Sequence, residues 1–317
     1  MEKYRTKKKL FCYLAGLLFL LFLACLIAFF WKREEKENFD IIPAGKTIFV
    51  KNGNTTQRLD LEEFLPCVVS ELFSIDDEEE ILKMQMVITR TYLLKKMGEN
   101  VSANAKDLGI KYHSYQELEK IYGTEYLAKY KKWKALVKET NLKVIRYKDE
   151  LIEPYFHIAS IGVTRDGNEV LGSGHEYLQS VESKEDLAYK DYMSIQYITM
   201  KQFVDTLREK NHKYKIDVNN FFDQFSIKEK CSAGYVKSVA IGKETMGSET
   251  FCHLFGIPSQ YFRVEKYQTG KEPTLRMIAK GKGNGLGVSL FGAKEMAKQG
   301  KKYQEILEYY YKNVVIG

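Results

Sequence analysis

Apolar residues are distributed unevenly along the chain. An unbroken run from Leu10 to Trp31, LFCYLAGLLFLLFLACLIAFFW, is followed by about 285 residues of ordinary mixed pattern. About 20 apolar residues at 1.5 Å rise cross a hydrocarbon core of about 30 Å, so the run predicts one spanning helix, longer than the apolar region of a cleaved signal peptide. Beyond a polar linker, Lys46 to Val50 and Thr55 to Leu59 flank an Asn52-Gly53 turn and read as a β-hairpin. Leu61 to Met97 follows, LEEFLPCVVSELFSIDDEEEILKMQMVITRTYLLKKM. A short helix carries Glu63, Phe64 and Leu65 into Pro66, and a longer one runs from about Glu78 to Lys96. Ile81, Leu82, Met84, Met86, Val87, Ile88, Leu93 and Leu94 leave the longer helix little polar face, so it is expected to be buried. Asp77 and Glu80 have the spacing of a capping box at its start. Lys83 and Arg90, seven residues apart, share one helical face, and buried cations need an anionic partner, either a protein carboxylate or a ligand.

Further along, Lys120 to Thr140 predicts an amphipathic helix. Leu142–Tyr147 and Leu151–Phe156 bracket a Lys148-Asp149-Glu150 turn as a second hairpin. Helical pattern returns at Met200–Glu209 and Glu249–Phe255, with strands at Tyr235–Ile241, Tyr261–Tyr267 and Thr274–Ala279. Leu290–Gln299 and Tyr303–Lys312 close the chain as helices. Helices and antiparallel strands without βαβ alternation define an α+β fold.

Charge refines the organisation. Lys3, Arg5, Lys7, Lys8 and Lys9 against Glu2 put +4 of the net +7 ahead of the apolar run. That bias sets residues 1–9 in the cytoplasm, 10–31 across the membrane, 32–45 as a linker and 46–317 as an extracytoplasmic domain. The +3 left over some three hundred residues gives no concentrated basic surface, which argues against a nucleic-acid partner. Cys67, Cys231 and Cys252 lie in the outer domain. A Cys231–Cys252 pair is open to an exported protein, but nothing resembles a small disulfide scaffold, and three free buried thiols are expected.

For chemistry, Glu71 stands out. Leu72, Phe73 and Ile75 follow it, and apolar surroundings disfavour a charged carboxyl and favour a general acid. The same residue also reads as a partly exposed glutamate at a helix end. His157 and His175 are 18 residues apart with no CxxC or HExxH pattern in the chain, so neither a metal nor another cofactor is expected. The alternate glycines Gly281, Gly283, Gly285 and Gly287 lack nucleotide-loop spacing. They permit close backbone approach to a ligand or another strand, and Ser289 after them suits a helix N-cap.

Several of these stretches together resemble one family. Val68-Val69-Ser70-Glu71, then Leu82-Lys83-x-Gln85-x-Val87-x-x-Arg90-Thr91-Tyr92, is similar to the GVVAAEM and ALKAQAVAARTY of the stage II sporulation protein D family. Tyr155-Phe156-His157-x-x-Ser160-x-Gly162-x-Thr164 resembles its YFHSTSGGxT. Gly283-Asn284-Gly285-Leu286-Gly287-Val288-Ser289 resembles its GHGVGMS. The resemblance spans roughly residues 61–316 and implies a single-pass, membrane-anchored lytic transglycosylase of sporulation and engulfment. It would cleave the MurNAc–GlcNAc backbone of peptide-free peptidoglycan strands, leaving anhydro-MurNAc ends around a glycan-binding cleft. Glu71 would be the catalytic acid and then base. Lys83, Gln85, Arg90, Tyr92, His157, Ser160, Thr164, Asn284, Gly285 and Ser289 would bind substrate, and a cell-wall amidase and other membrane proteins would be partners. The alternative is a non-catalytic peptidoglycan-binding scaffold or enhancer of such an amidase. Asn284 for the family's histidine, Leu290 for glutamine and Ile161 for glycine are departures, and asparagine transfers no proton near neutral pH.

Overall fold

Strand β1 (Thr47–Asn52) pairs antiparallel with β2 (Thr55–Asp60), as the alternation and turn require, and β3 (Ser102–Asn104) adds to β1 in parallel. These coordinates come from a computed structural model that describes Phe22 and residues 41–317 apart from 53, 54, 215, 270 and 271. Apart from Phe22, the predicted tail and spanning helix lie outside the described residues, as does most of the linker. Among the described residues no helix is long and apolar enough to cross a membrane.

Asp60 ends β2 and starts helix α1 (Leu61–Val69) through a reciprocal capping box with Glu63. Helix α2 (Glu79–Met97) is wrapped on most sides, and Lys83, Gln85 and Arg90 are buried with its apolar residues. It packs against α1, α4 (Tyr126–Glu139), α9 (Leu290–Lys298) and α10 (Tyr303–Tyr310). Its start differs from the expected capping box. The N-cap is Glu78, with no side-chain cap; Asp77 accepts from the Ser74 amide at 2.9 Å and pairs with Lys294, while Glu80 accepts from the Tyr303 amide at 2.9 Å. Both acids are thus spent on joining α2 to the chain's last two helices.

The helix expected over 120–140 is broken. Helix α3 (Tyr115–Tyr122), capped by Ser114 and Glu117, stops at Gly123, whose φ of +54° an ordinary residue adopts only under strain. Strands β4 (Ile145–Tyr147) and β5 (Glu150–Leu151) form the second hairpin, with Lys148 and Asp149 both at positive φ. Its second arm ends earlier than expected because Pro154 has no amide to give to a ladder. Phe156 and His157 instead form β6, in parallel with β13 (Val288–Ser289), and β14 (Val315–Ile316) closes on β4.

Between β6 and β13 lies helix α5 (Gly167–Leu171) and then a region with its own core. One antiparallel sheet has the order β10-β9-β8 (Glu244–Gly247, Val236–Ile241, Phe225–Lys230). The other has the order β11-β12-β7 (Phe262–Thr269, Glu272–Lys280, Met193–Thr199). Helices α6 (Met200–Lys210), α7 (Phe221–Gln224) and α8 (Ser248–Phe255) complete it. Phe203, Phe221, Phe225, Phe251 and Leu275 meet in the centre. The mixed α+β character and the antiparallel sheets are as the sequence implies.

Candidate functional site

Glu71 sits in the turn that follows α1, its amide donating to the Val68 carbonyl at 3.2 Å. Its surroundings are apolar only in part, which fits the reading of a partly exposed glutamate at a helix end. The Glu71 side chain is 27% exposed, and Leu72 beside it turns outward as the chain leaves the helix, while Phe73 and Ile75 return to the core. Glu71 and Leu72 form a partition between two hollows. One, of about 450 Å³, is lined also by Val68, Gln85, Ile88, Thr89, Tyr92, Gly109, Ile110, Lys111 and Phe156. The other, of about 360 Å³, is lined by Ser70, Phe73, Ser74, His113, Leu118, Ile121 and Tyr122 as well.

A residue absent from the sequence-derived candidates completes the acid's surroundings. His113 Nε2 lies 3.3 Å from Glu71 Oε1, and its Nδ1 lies 3.2 Å from Ser70 Oγ. Ser70 Oγ also lies 3.0 Å from the Cys67 carbonyl, so the ring is held between Ser70 and Glu71 whichever nitrogen carries the proton. The His113 amide is held by the same Cys67 carbonyl at 2.9 Å, which fixes the ring's position relative to α1. The Nε2–Oε1 contact then needs one proton. Held by the carboxyl, it makes Glu71 a donor; held by the ring, it makes Glu71 an accepting carboxylate. Both states of an acid–base cycle fit this contact. The signal was faint in the sequence, because 42 positions separate Glu71 from a histidine in a stretch of polar loop.

The other candidates divide by position. Gln85 and Tyr92 share the larger hollow with Glu71. Gln85 is 1% exposed, with Oε1 lacking any partner among the described residues, and Tyr92 donates its hydroxyl to the Leu108 carbonyl at 2.8 Å. Lys83 and Arg90 already have protein partners. Lys83 pairs with Glu139 at 2.5 Å and Glu80 at 3.4 Å. Arg90, wholly buried, gives Nε and Nη2 to the two Glu62 oxygens at 2.6 and 2.7 Å and Nη1 to the Lys143 carbonyl at 3.0 Å. Both cations therefore position α2, the first of the two roles open to them.

The two later motifs meet each other. Asp186, fully buried, accepts from the Ser160 amide and from Ser289 Oγ, each at 2.7 Å. Ser289 also caps α9 through the Gly292 amide. Thr164 Oγ1 accepts from the Val181 amide at 2.9 Å and braces a turn. His157 is buried against the Leu286 carbonyl, Nδ1 at 3.0 Å, and desolvation holds its pKa below the ordinary 6.5. Its neighbour Phe156, alternating to the opposite side, lines the Glu71 hollow instead. The glycines serve strand contact. A Cβ on Gly287 would fall within 1.9 Å of the Tyr155 carbonyl oxygen, and one on Gly283 within 2.7 Å of His157 Cβ. Gly285 packs against the Tyr235 ring, and Asn284 turns its Oδ1 back to the Leu286 amide at 3.0 Å, in a hollow that does not include Glu71. Cys67, Cys231 and Cys252 are free and buried, and no group of three or more metal-ligating side chains gathers among the described residues.

This α+β domain is similar in sequence to a known class of protein. Residues 51–147 fit the family described as "Stage II sporulation protein", so the similarity is to a class of sporulation proteins. The chain is 26% identical over 288 residues to the stage II sporulation protein D of Bacillus subtilis (strain 168), covering 88% of this chain and 81% of that one. It is 24% identical over 282 residues to the same protein of Bacillus amyloliquefaciens, covering 86% and 79%. A protein of Brachyspira hyodysenteriae called uncharacterized is 27% identical over 290 residues, covering 87% of this chain and 70% of that one. At this modest identity, the chain is similar to the stage II sporulation protein D family over most of its length.

Proposed function

We propose that this protein is a lytic transglycosylase that cleaves peptidoglycan glycan strands during sporulation, from a domain held outside the cell by the apolar segment at residues 10–31. The observation that carries the reading is the placement of Glu71, between two hollows and 3.3 Å from His113. A glycan crossing the Leu72 partition would present its scissile bond to the carboxyl, with a sugar on either side. Glu71 gives its proton to the glycosidic oxygen as the bond from C1 breaks. The muramyl C6 hydroxyl oxygen bonds to C1, and its proton passes to the Glu71 carboxylate. The products are a 1,6-anhydro end and a new hydroxyl end, and the enzyme regains its starting state without water. One carboxyl suffices, whereas glycoside hydrolysis ordinarily uses two. His113 would hold the proton's alternative seat, and Gln85 and Tyr92 would contact the sugar.

The test is incubation of the full chain with peptide-free glycan strands and mass spectrometry for anhydromuramyl ends. Glu71→Gln keeps size and polarity but moves no proton, so cleavage should fall by about 10²–10⁴-fold while glycan binding persists. Near wild-type cleavage by that variant would refute the assignment. No cleavage by either protein, with a partner amidase still stimulated, would establish the scaffold reading in its place.

A further inference from the structure

Among the described residues the buried lysine and arginine side chains are Lys83, Arg90 and Arg165. The first two are matched by carboxylates, and Arg165, 2% exposed, has none. Its assigned hydrogen bonds both leave from Nη1, one to Gln260 Oε1 and one to the Asn284 carbonyl at 2.9 Å, and Nε is buried without a partner. The Tyr235 ring, 5.4 Å from the guanidinium carbon, offers only partial compensation. A buried charge left in this state is costly unless an anion completes it. Arg90 displays what such a fork takes, since its Nε and Nη2 hold the two oxygens of one carboxylate.

Arg165 lies in the wall of a hollow of about 360 Å³ whose lining shares no residue with the larger Glu71 hollow. The first residues of α8, Ser248 and Glu249, form another side, so the positive end of that helix adds to the attraction for an anion. Ser248 Oγ also donates to Gln260 Oε1 at 3.3 Å, which holds Nη1's partner in place. Lys237 in the same wall is already tied to Glu229 at 2.5 Å. Glu249 is exposed at the rim and repels a plain anion, but it suits a ligand that carries an ammonium beside its carboxylate. Val170, Leu171 and Leu286 supply apolar contact for a small side chain.

We propose that this hollow is a second binding site, which takes the carboxylate of a small zwitterionic peptide on the Nε–Nη2 edge of Arg165 and its ammonium toward Glu249. This goes beyond the cleavage reading and stands or falls apart from it, because the test measures binding alone. Alanylalanine in its L,L and D,D forms is titrated against the full chain by calorimetry, with alanylalaninamide and N-acetyl-alanylalanine as controls. The free dipeptide should bind saturably, and the preferred hand tells whether the natural source is protein-derived or wall-derived peptide. The amide should bind about tenfold or more weakly, as loss of a charge-assisted pair implies, and Arg165→Lys, which keeps charge without the fork, should lose as much. The N-acetyl form should lose less, and Glu249→Gln should erase that difference. Equal binding of dipeptide and amide to the wild-type chain, or no saturable binding of either hand, would overturn the proposal whether or not the Arg165→Lys variant folds.

Discussion

Replacing Arg90 by leucine tests whether a family-motif cation braces the fold or binds substrate. In the wild-type chain the guanidinium is wholly buried and satisfies both oxygens of Glu62, itself 1% exposed, together with the Lys143 carbonyl. Arg90→Leu fills most of the volume but leaves the Glu62 carboxylate with no cation and no water. Breaking one side of such a pair costs about 3–5 kcal/mol, and at 2–4 °C per kcal/mol for a domain of this size the melting temperature should fall by about 6–20 °C. Glu62→Leu combined with Arg90→Leu removes both charges and should recover most of the loss, because a packed apolar pair often replaces a buried ion pair at little cost. Thermal unfolding followed by circular dichroism reads both variants, and co-sedimentation with glycan strands reads binding. An Arg90→Leu chain that melts at the wild-type temperature yet no longer binds glycan would refute the bracing argument and return the residue to the substrate.

Other outcomes follow from neighbouring geometry. His113→Gln removes the second seat for the proton at Glu71, so cleavage should drop by about 10²-fold with glycan binding kept; an unchanged rate would remove His113 from the site. Burial pushes the Cys67 and Cys252 thiols up to about 12, so neither should be alkylated by iodoacetamide in the native state, as intact-mass analysis would show; rapid native labelling of either would contradict their burial. Burial also holds folded His157 below the ordinary 6.5. As pH falls, the unfolded chain takes that proton first, so this contribution to stability is full above about pH 6.5 and is lost progressively below it. His157→Gln should flatten that acid limb in urea midpoints measured against pH, and an identical slope in both proteins would count against it.

Where local pattern and tertiary demand agreed, the sequence was a sufficient guide. The first hairpin, α2, α6, α8, β11, β12 and the last two helices lie close to where apolar spacing and turn residues put them. It failed where a single residue outvoted the pattern, as at Gly123 and Pro154, and where strands carry little apolar alternation. β8, with the sequence FSIKEK, owes its place to pairing with β9 rather than to its own side chains. The same holds at the site. Glu71, Gln85 and Tyr92 could be nominated from motif spacing, but whether Lys83 and Arg90 face a ligand or a carboxylate depends on Glu139 and Glu62. Both acids read as ordinary helix-surface residues until the helices are packed. His113 and Arg165 had no local signature, since each draws its meaning from partners many positions away.

The parallel pairing of β6 with β13 also bears on the order in which the molecule assembles. His157 meets the Leu286 carbonyl across 129 positions of chain. Closing so long a loop costs entropy that the few contacts between two-residue strands repay poorly. The region between them, however, has its own aromatic core and its own antiparallel sheets. Once that core condenses, β7 and β12 lie side by side, with Met193 opposite Lys280. The open loop is then shortened from 129 positions to the stretches between His157 and Met193 and between Lys280 and Leu286. The intervening region would thus act as a folding clasp, and the Asp186 bonds to Ser160 and Ser289 would be among the last to form. Destabilising substitutions at Phe203 or Phe251, far from Glu71, should therefore slow the appearance of the finished site more than they alter it once made.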